Sequence, residues 1–169
     1  LSNTDRSFGA TLAGRIARKQ VDLSSGPIRI KTSGDAGQKL GVFCTTGMNI
    51  DHRGFANDYV GEGMDGGEIV VGQPNDVKTD RNSLIGNGCL YGATGGVLYA
   101  AGRAGQRFAV RNSGATGVVE GFGKYFGEYM TDGLIGSLDP EKIGNVIGTG
   151  MTGGEMFFND PQEKVRRRI

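Results

Sequence analysis

Tryptophan is absent, histidine occurs once (His52), cysteine twice (Cys44 and Cys89) and proline four times. Each scarcity removes a class of protein. Two widely spaced cysteines, with no C-x-x-C pair and one histidine, exclude a disulfide scaffold and offer no donor set for zinc or an iron–sulfur cluster. No stretch approaches the roughly 20 apolar residues of a membrane-spanning helix. The opening "LSNTDRSFGATLAG" lacks the basic start and apolar centre of a signal peptide. A formal charge of +1 provides no basic field for nucleic acid. The expectation is a cytoplasmic protein that engages neither membrane nor nucleic acid.

Glycine is the residue in excess, at 32 of 169, where about 7% is usual. No triplet period accompanies it, so collagen is excluded and tight corners are implied. The length suits one domain.

The corners recur. Short β-prone runs begin at "IRIK" (28), "MNID" (48), "EIVV" (68), "VLYA" (97), "VVEG" (118), "LIGS" (134) and "EMFF" (155). A second series lies between them: "LGVF" (40), "DYVG" (58), "CLYG" (89), "FAVR" (108), "GEYM" (127) and "NVIG" (145). Both read as strands with a common period near 19 residues, interrupted by the polar insertion "QPNDVKTDRNS". Strands at that spacing with no helix between them predict a solenoid, each rung bonded to its neighbours. The expected fold is all-β, a single-stranded right-handed parallel β-helix of about seven rungs with a short N-terminal capping helix, roughly 30 Å long. Phe8, Leu12 and Ile16 recur at helical spacing and place that cap over residues 5–19. The single domain 1–169 then divides into a cap at 1–20, rungs at 21–160 and a basic tail at 161–169, in which Lys164, Arg166, Arg167 and Arg168 read as a solvated terminus.

Two glycine motifs invite a functional reading. "GEGMDGGEIVV" (61–71) and "GTGMTGGEMFF" (148–158) both contain G-x-G-x-x-G, the spacing of a dinucleotide loop, and "YGATGGVLYAAG" (91–102) is a looser copy. A cofactor loop needs a helix N-terminus after it to receive the pyrophosphate. Strand-like residues follow both motifs here. Gly61, Gly63, Gly66, Gly67, Gly92, Gly95, Gly96, Gly148, Gly150, Gly153 and Gly154 are therefore assigned as structural corners that bind nothing, and no residue is assigned to catalysis, cofactor or metal. The acidic residues Asp58, Glu62, Asp65 and Glu68 lack the calcium-solenoid pattern and read as a solvated edge. His52 reads as an exposed turn histidine. Arg103, Arg107 and Arg111 recur every four residues, a spacing that fits a partner-facing stripe as well as plain solvation.

"GATGGVLYAAGRAGQRFAVRNSGATGVVEG", with "LSNTDRSFGATLAG", "ANDYVGEGMDGGEIVV", "GEYMTDG" and "GTGMTGGEMFF", resembles the C-terminal β-helix domain of the glutamate synthase large subunit along nearly the whole chain. Asp132 departs from it, standing where the family more often has a second glycine. The resemblance implies a right-handed β-helix and a noncatalytic scaffold in glutamate biosynthesis and nitrogen assimilation. It implies partners of glutamine amidotransferase type and FMN-binding synthase type, as chains or domains, with FMN and the iron–sulfur cluster held there and not in this chain. A separately encoded subunit and an excised domain both fit the resemblance, and poorly capped solenoid ends make self-association an expectation. The alternative is the β-helical subunit of a C1-metabolism oxidoreductase resembling formylmethanofuran dehydrogenase. A stand-alone dinucleotide enzyme is a third reading.

Overall fold

The computed structural model describes residues 1–74, 83–139, 143–163 and 165. The basic residues of the tail (Lys164 and 166–168) and most of the polar insertion lie outside them.

One helix precedes eight strands: α1 (Ala10–Ala17), β1 (Ile28–Ala36), β2 (Met48–Ala56), β3 (Asp65–Gly72), β4 (Ser83–Ile85), β5 (Gly95–Ala104), β6 (Ser113–Gly121), β7 (Asp132–Ser137) and β8 (Glu155–Phe158). The strands pair in parallel in the order β1-β2-β3-β5-β6-β7-β8, with β4 beside β2 and β5. This is a β-solenoid of about six turns. β3 and β4 are two halves of one rung: β2 pairs with β3 through its first part and with β4 at Ala56↔Ile85, so the insertion interrupts a strand without disturbing the stack.

The first series of runs is the strand series, in register. Ile30 stands beside Ile50, Ile50 beside Ile69, Ile69 beside Leu98, Leu98 beside Gly117, Gly117 beside Ile135 and Ile135 beside Met156. Thr116, rather than Val118, is the residue opposite Val97 and Leu134, which removes the uneven step in the sequence series. Alternate residues of β2 point inward, so Met48 and Ile50 are buried while Asn49 and Asp51 reach outward. Each fully buried aliphatic or aromatic side chain contributes about 1.5–3 kcal/mol.

The second series is not a set of strands. Its residues form the corners, turns that carry a second inward column: Leu40, Val60, Cys89, Phe108 and Phe126 are all fully buried. Bridges join Phe108 to Phe126 and Phe126 to Ile147. The rings of Phe108 and Phe126 stack at 5.4 Å between centroids, and those of Phe122 and Phe126 at 4.0 Å. A rung is thus one long strand and one turned corner, not several short strands.

The cap is shorter than the 5–19 expected from periodicity. Phe8, Leu12 and Ile16 pack against the core and Ala13 is buried. Left-handed Lys19 closes the helix, with Gln20 N donating to the Arg15 carbonyl at 2.9 Å and Lys19 N to that of Ile16 at 2.8 Å. Before the helix, residues 7–9 form part of a corner. Ser7 and Gly9 have positive φ, Ser7 N donates to the Gln38 carbonyl, and Gly41 N donates to the Phe8 carbonyl. The repeat therefore begins ahead of the first strand, and the helix leaves from it.

Candidate functional site

The corner is the most regular polar construction in the molecule. At the second corner Glu62 N donates to the Tyr59 carbonyl and Met64 N to that of Gly61, two consecutive reverse turns. Turns of this bonding place their third residue in the left-handed region when they belong to type II. Positive φ accordingly falls on every second residue: Lys39, Gly41 and Phe43; Tyr59, Gly61 and Gly63; Gly88, Leu90 and Gly92; Arg107, Ala109 and Arg111; Tyr125, Gly127 and Tyr129; then Gly148 and Gly150. The amides between rungs alternate in direction. Tyr59 N and Gly63 N reach forward to the Asn87 and Tyr91 carbonyls, while Gly61 N reaches back to Leu40. These bonds leave the Gly61 and Gly63 amides no free N–H for a phosphate.

The eleven glycines assigned as corners divide by cause. Gly61, Gly63, Gly67, Gly92, Gly96, Gly148, Gly150 and Gly154 have positive φ. Gly66, Gly95 and Gly153 do not, and are confined by the preceding rung. A Cβ on Gly66 would stand 2.6 Å from the Thr46 amide nitrogen, one on Gly95 2.6 Å from the Asp65 carbonyl oxygen, and one on Gly153 against the Thr131 carbonyl. Both G-x-G-x-x-G motifs run into strands, β3 and β8. At Asp132 the corner persists: the following Gly133 has φ +92 and donates its amide to the Asp132 carboxylate at 2.7 Å.

Sequence reading misses Gly88, Gly41 and Gly127, and all the non-glycine left-handed positions. Each of the latter costs about 1–2 kcal/mol relative to a right-handed conformation. Three of the four aromatic residues at these positions have a visible compensation, because their rings lie over a glycine of the next rung: Phe43 over Gly63, Tyr59 over Gly88 and Tyr129 over Gly150; the ring of Tyr125 instead carries Arg107 and Lys124. Arg107 and Arg111 have no such glycine. Both are exposed on the fourth corner, with buried Val110 between them. Arg103 is elsewhere, on β5, half-buried and donating from Nη2 to the Phe122 carbonyl at 3.3 Å. The expected three-residue stripe thus reduces to two corner arginines.

Of the acidic candidates Asp65 and Glu68 are exposed, and the other two have structural partners. Asp58 accepts the Asn87 amide at 2.7 Å and Glu62 pairs with Lys39 at 2.9 Å. No group of three His, Cys, Asp or Glu side chains suited to a metal occurs among the described residues. His52, expected on an exposed turn, is fully buried on β2. Its Nδ1 meets the Thr32 hydroxyl at 2.9 Å and its Nε2 the Phe55 carbonyl at 3.0 Å. A carbonyl only accepts, so Nε2 carries the proton and Thr32 donates to Nδ1. Burial lowers its pKa. Cys44 and Cys89 are free and fully buried, and desolvation pushes their thiols up to about 11 and about 12. A hollow of about 510 Å³ on the outer face of β1–β3 mixes Arg29, Lys31 and Arg53 with Asp51 and Glu68, and Arg53 is engaged by Asp51 at 3.2 Å. No described helix is long and apolar enough to cross a membrane.

Comparison with known proteins adds to this geometry. The sequence profile of the GXGXG motif family matches residues 1–169. The chain is 52% identical over 163 residues to ferredoxin-dependent glutamate synthase 2 of Synechocystis sp., covering 95% of this chain and 10% of the relative. It is 48% identical over 172 residues to ferredoxin-dependent glutamate synthase of Pyropia yezoensis, covering 100% of this chain and 11% of the relative. The NADH glutamate synthase of Schizosaccharomyces pombe is 43% identical over 164 residues, covering 95% and 8%. The chain therefore spans about a tenth of the length of these relatives.

Proposed function

The chain belongs to the GXGXG motif family, and from that premise we propose that it is the noncatalytic scaffold, as a domain or a subunit, of a glutamate-synthase-type assembly. The supporting observation is the match of the whole chain to about a tenth of glutamate synthases, combined with a repeat whose glycines, histidine and thiols are spent on holding it together. Its glycines are occupied by turns and close backbone approaches, its histidine is bonded inside the core, and its thiols are buried. In this reading glutamine hydrolysis and the reductive amination of 2-oxoglutarate take place in amidotransferase-type and FMN-binding synthase-type regions, which also hold the FMN and iron–sulfur cluster. The solenoid supplies a rigid face on which those regions pack. Two buried free thiols suit a reducing compartment such as the cytoplasm. The formylmethanofuran dehydrogenase-like alternative is not favoured, since the relatives compared are glutamate synthases.

The test is affinity isolation of the chain from native extract, followed by mass spectrometry and flavin analysis. Recovery of amidotransferase and FMN-binding synthase sequence, linked or separate, with glutamine-dependent glutamate formation, is the expected result. Recovery of neither overturns the proposal, and so does nucleotide binding by the corners.

A further inference from the structure

The fourth corner is the one described double turn in which no left-handed position is glycine: Arg107 has φ +59, Ala109 +59 and Arg111 +56. Glycine would hold the same backbone without strain, as it does at the corners on either side. Phe43, Tyr59 and Tyr129 recover packing on the next glycine, and Ala109 fills the core. The two arginines do neither. Neither makes an ion pair with a described residue, where the pairs found are Lys39–Glu62 and Arg53–Asp51.

Their surroundings add positive charge and exposed aromatic surface. The Arg107 guanidinium lies 5.5 Å from the centre of the Tyr125 ring, and Lys124 Nζ lies 5.0 Å from the same centre. Tyr129, in the column of Arg111 one rung on, is 54% exposed. Glu128 lies between the two tyrosines in sequence and is the acidic residue of that corner. Arginine and tyrosine, two of each on these neighbouring corners, are residue types that concentrate binding energy at protein interfaces, and Lys124 adds a third cation. The left-handed backbone at Arg107 and Arg111 is that of every corner; what this corner adds is the pair of charged side chains that it carries outward.

We propose that Arg107, Arg111 and Lys124 dock an acidic segment of the catalytic part of the assembly; this rests on the scaffold reading above. The occupant follows from charge: the patch is a cationic fork pair beside an ammonium, which a carboxylate-bearing segment satisfies bidentately. It lies on the fourth and fifth corners, so it ties the middle of the solenoid, and not its ends, to the partner.

Zero-length carbodiimide coupling of the native assembly tests this, because it joins an amine only to a carboxylate in contact. The expected product links Lys124 to an Asp or Glu of the amidotransferase or synthase region. In R107G/R111G, which relieves two left-handed backbones and so keeps the fold, the yield falls roughly tenfold or more, while R107K/R111K, which keeps the charge and loses the forks, falls between the two. A product linking Lys124 only to carboxylates of this chain, whether its own or a second copy's, overturns the proposal. So does undiminished coupling in the glycine variant. If catalytic regions are present but unlinked, the docking site falls and the scaffold reading stands. If they are absent, both fall.

Discussion

The phenol ring of Tyr59 lies over Gly88 one rung along, so close that a Cβ on residue 88 would stand 2.6 Å from its Cε1. The same relation joins Phe43 to Gly63 and Tyr129 to Gly150. Glycine at these places is required twice, by a positive φ and by an aromatic neighbour. Gly92 shares the φ, at +61, but nothing lies within 4 Å of its missing Cβ.

That difference predicts an order of stabilities. Gly92→Ala carries only the left-handed cost, about 1–2 kcal/mol. Gly88→Ala adds displacement of an exposed, movable ring. Gly66→Ala meets the Thr46 backbone, which cannot step aside, and is the most damaging of the three. Urea unfolding of the three variants should rank them in that order, and equal midpoints would show that the close approaches carry no weight.

A pH effect follows from His52. Burial holds its pKa below the ordinary 6.5, so the unfolded chain takes up the proton more readily than the folded one. Stability from the neutral ring is complete above the unfolded-state value and is lost as pH falls through it toward the lower folded value. His52 is the only histidine, so the thermal midpoint should drop between pH 7.5 and 5.5 in the native chain. In His52→Gln the slope over that window should flatten while stability at pH 7.5 falls. An unchanged slope would place the effect elsewhere.

The thiols give a simpler outcome. With Cys44 and Cys89 buried and pushed up to about 11 and about 12, almost no thiolate exists at pH 8. A thiol-specific chromogenic disulfide should report no accessible thiol in the folded chain and two after denaturation. Rapid reaction of either in the folded chain would contradict the burial.

The strand series and the capping helix are legible from residue order, because apolar runs in strict register are a direct imprint of stacking. The corners were misread as strands for a physical reason. With positive φ at every second residue, a double turn also alternates with period two, sending Leu40 inward and Phe43 outward as a strand would. His52 was misplaced because its partner Thr32 is set by interstrand register, 20 residues away. Arg107 and Arg111 were visible as a spacing, but their left-handed backbone was not, since no glycine marks it. Only the two columns reveal it, Arg107 with Tyr59 and Gly88 and Arg111 with Gly63 and Gly92.

The inward column of β-residues contains one gap that predicts epistasis. Ile50, Ile69, Leu98, Ile135 and Met156 fill it, and Gly117 does not. A Cβ on Gly117 would meet Leu90 Cδ1 at 2.5 Å and Phe108 Cζ at 2.8 Å. The missing side chain makes room for a phenylalanine in the neighbouring corner column, where the second rung carries Val60. Gly117→Val alone should therefore overpack the core and cost about 1–3 kcal/mol, and Phe108→Val alone should leave a cavity of similar cost. Together they exchange volume between the two columns, so the double variant should be more stable than the sum of the single losses, with a coupling of about 0.5–3 kcal/mol. Denaturant midpoints of the four proteins measure it, and strict additivity would mean that Gly117 is small for a reason other than the Phe108 ring.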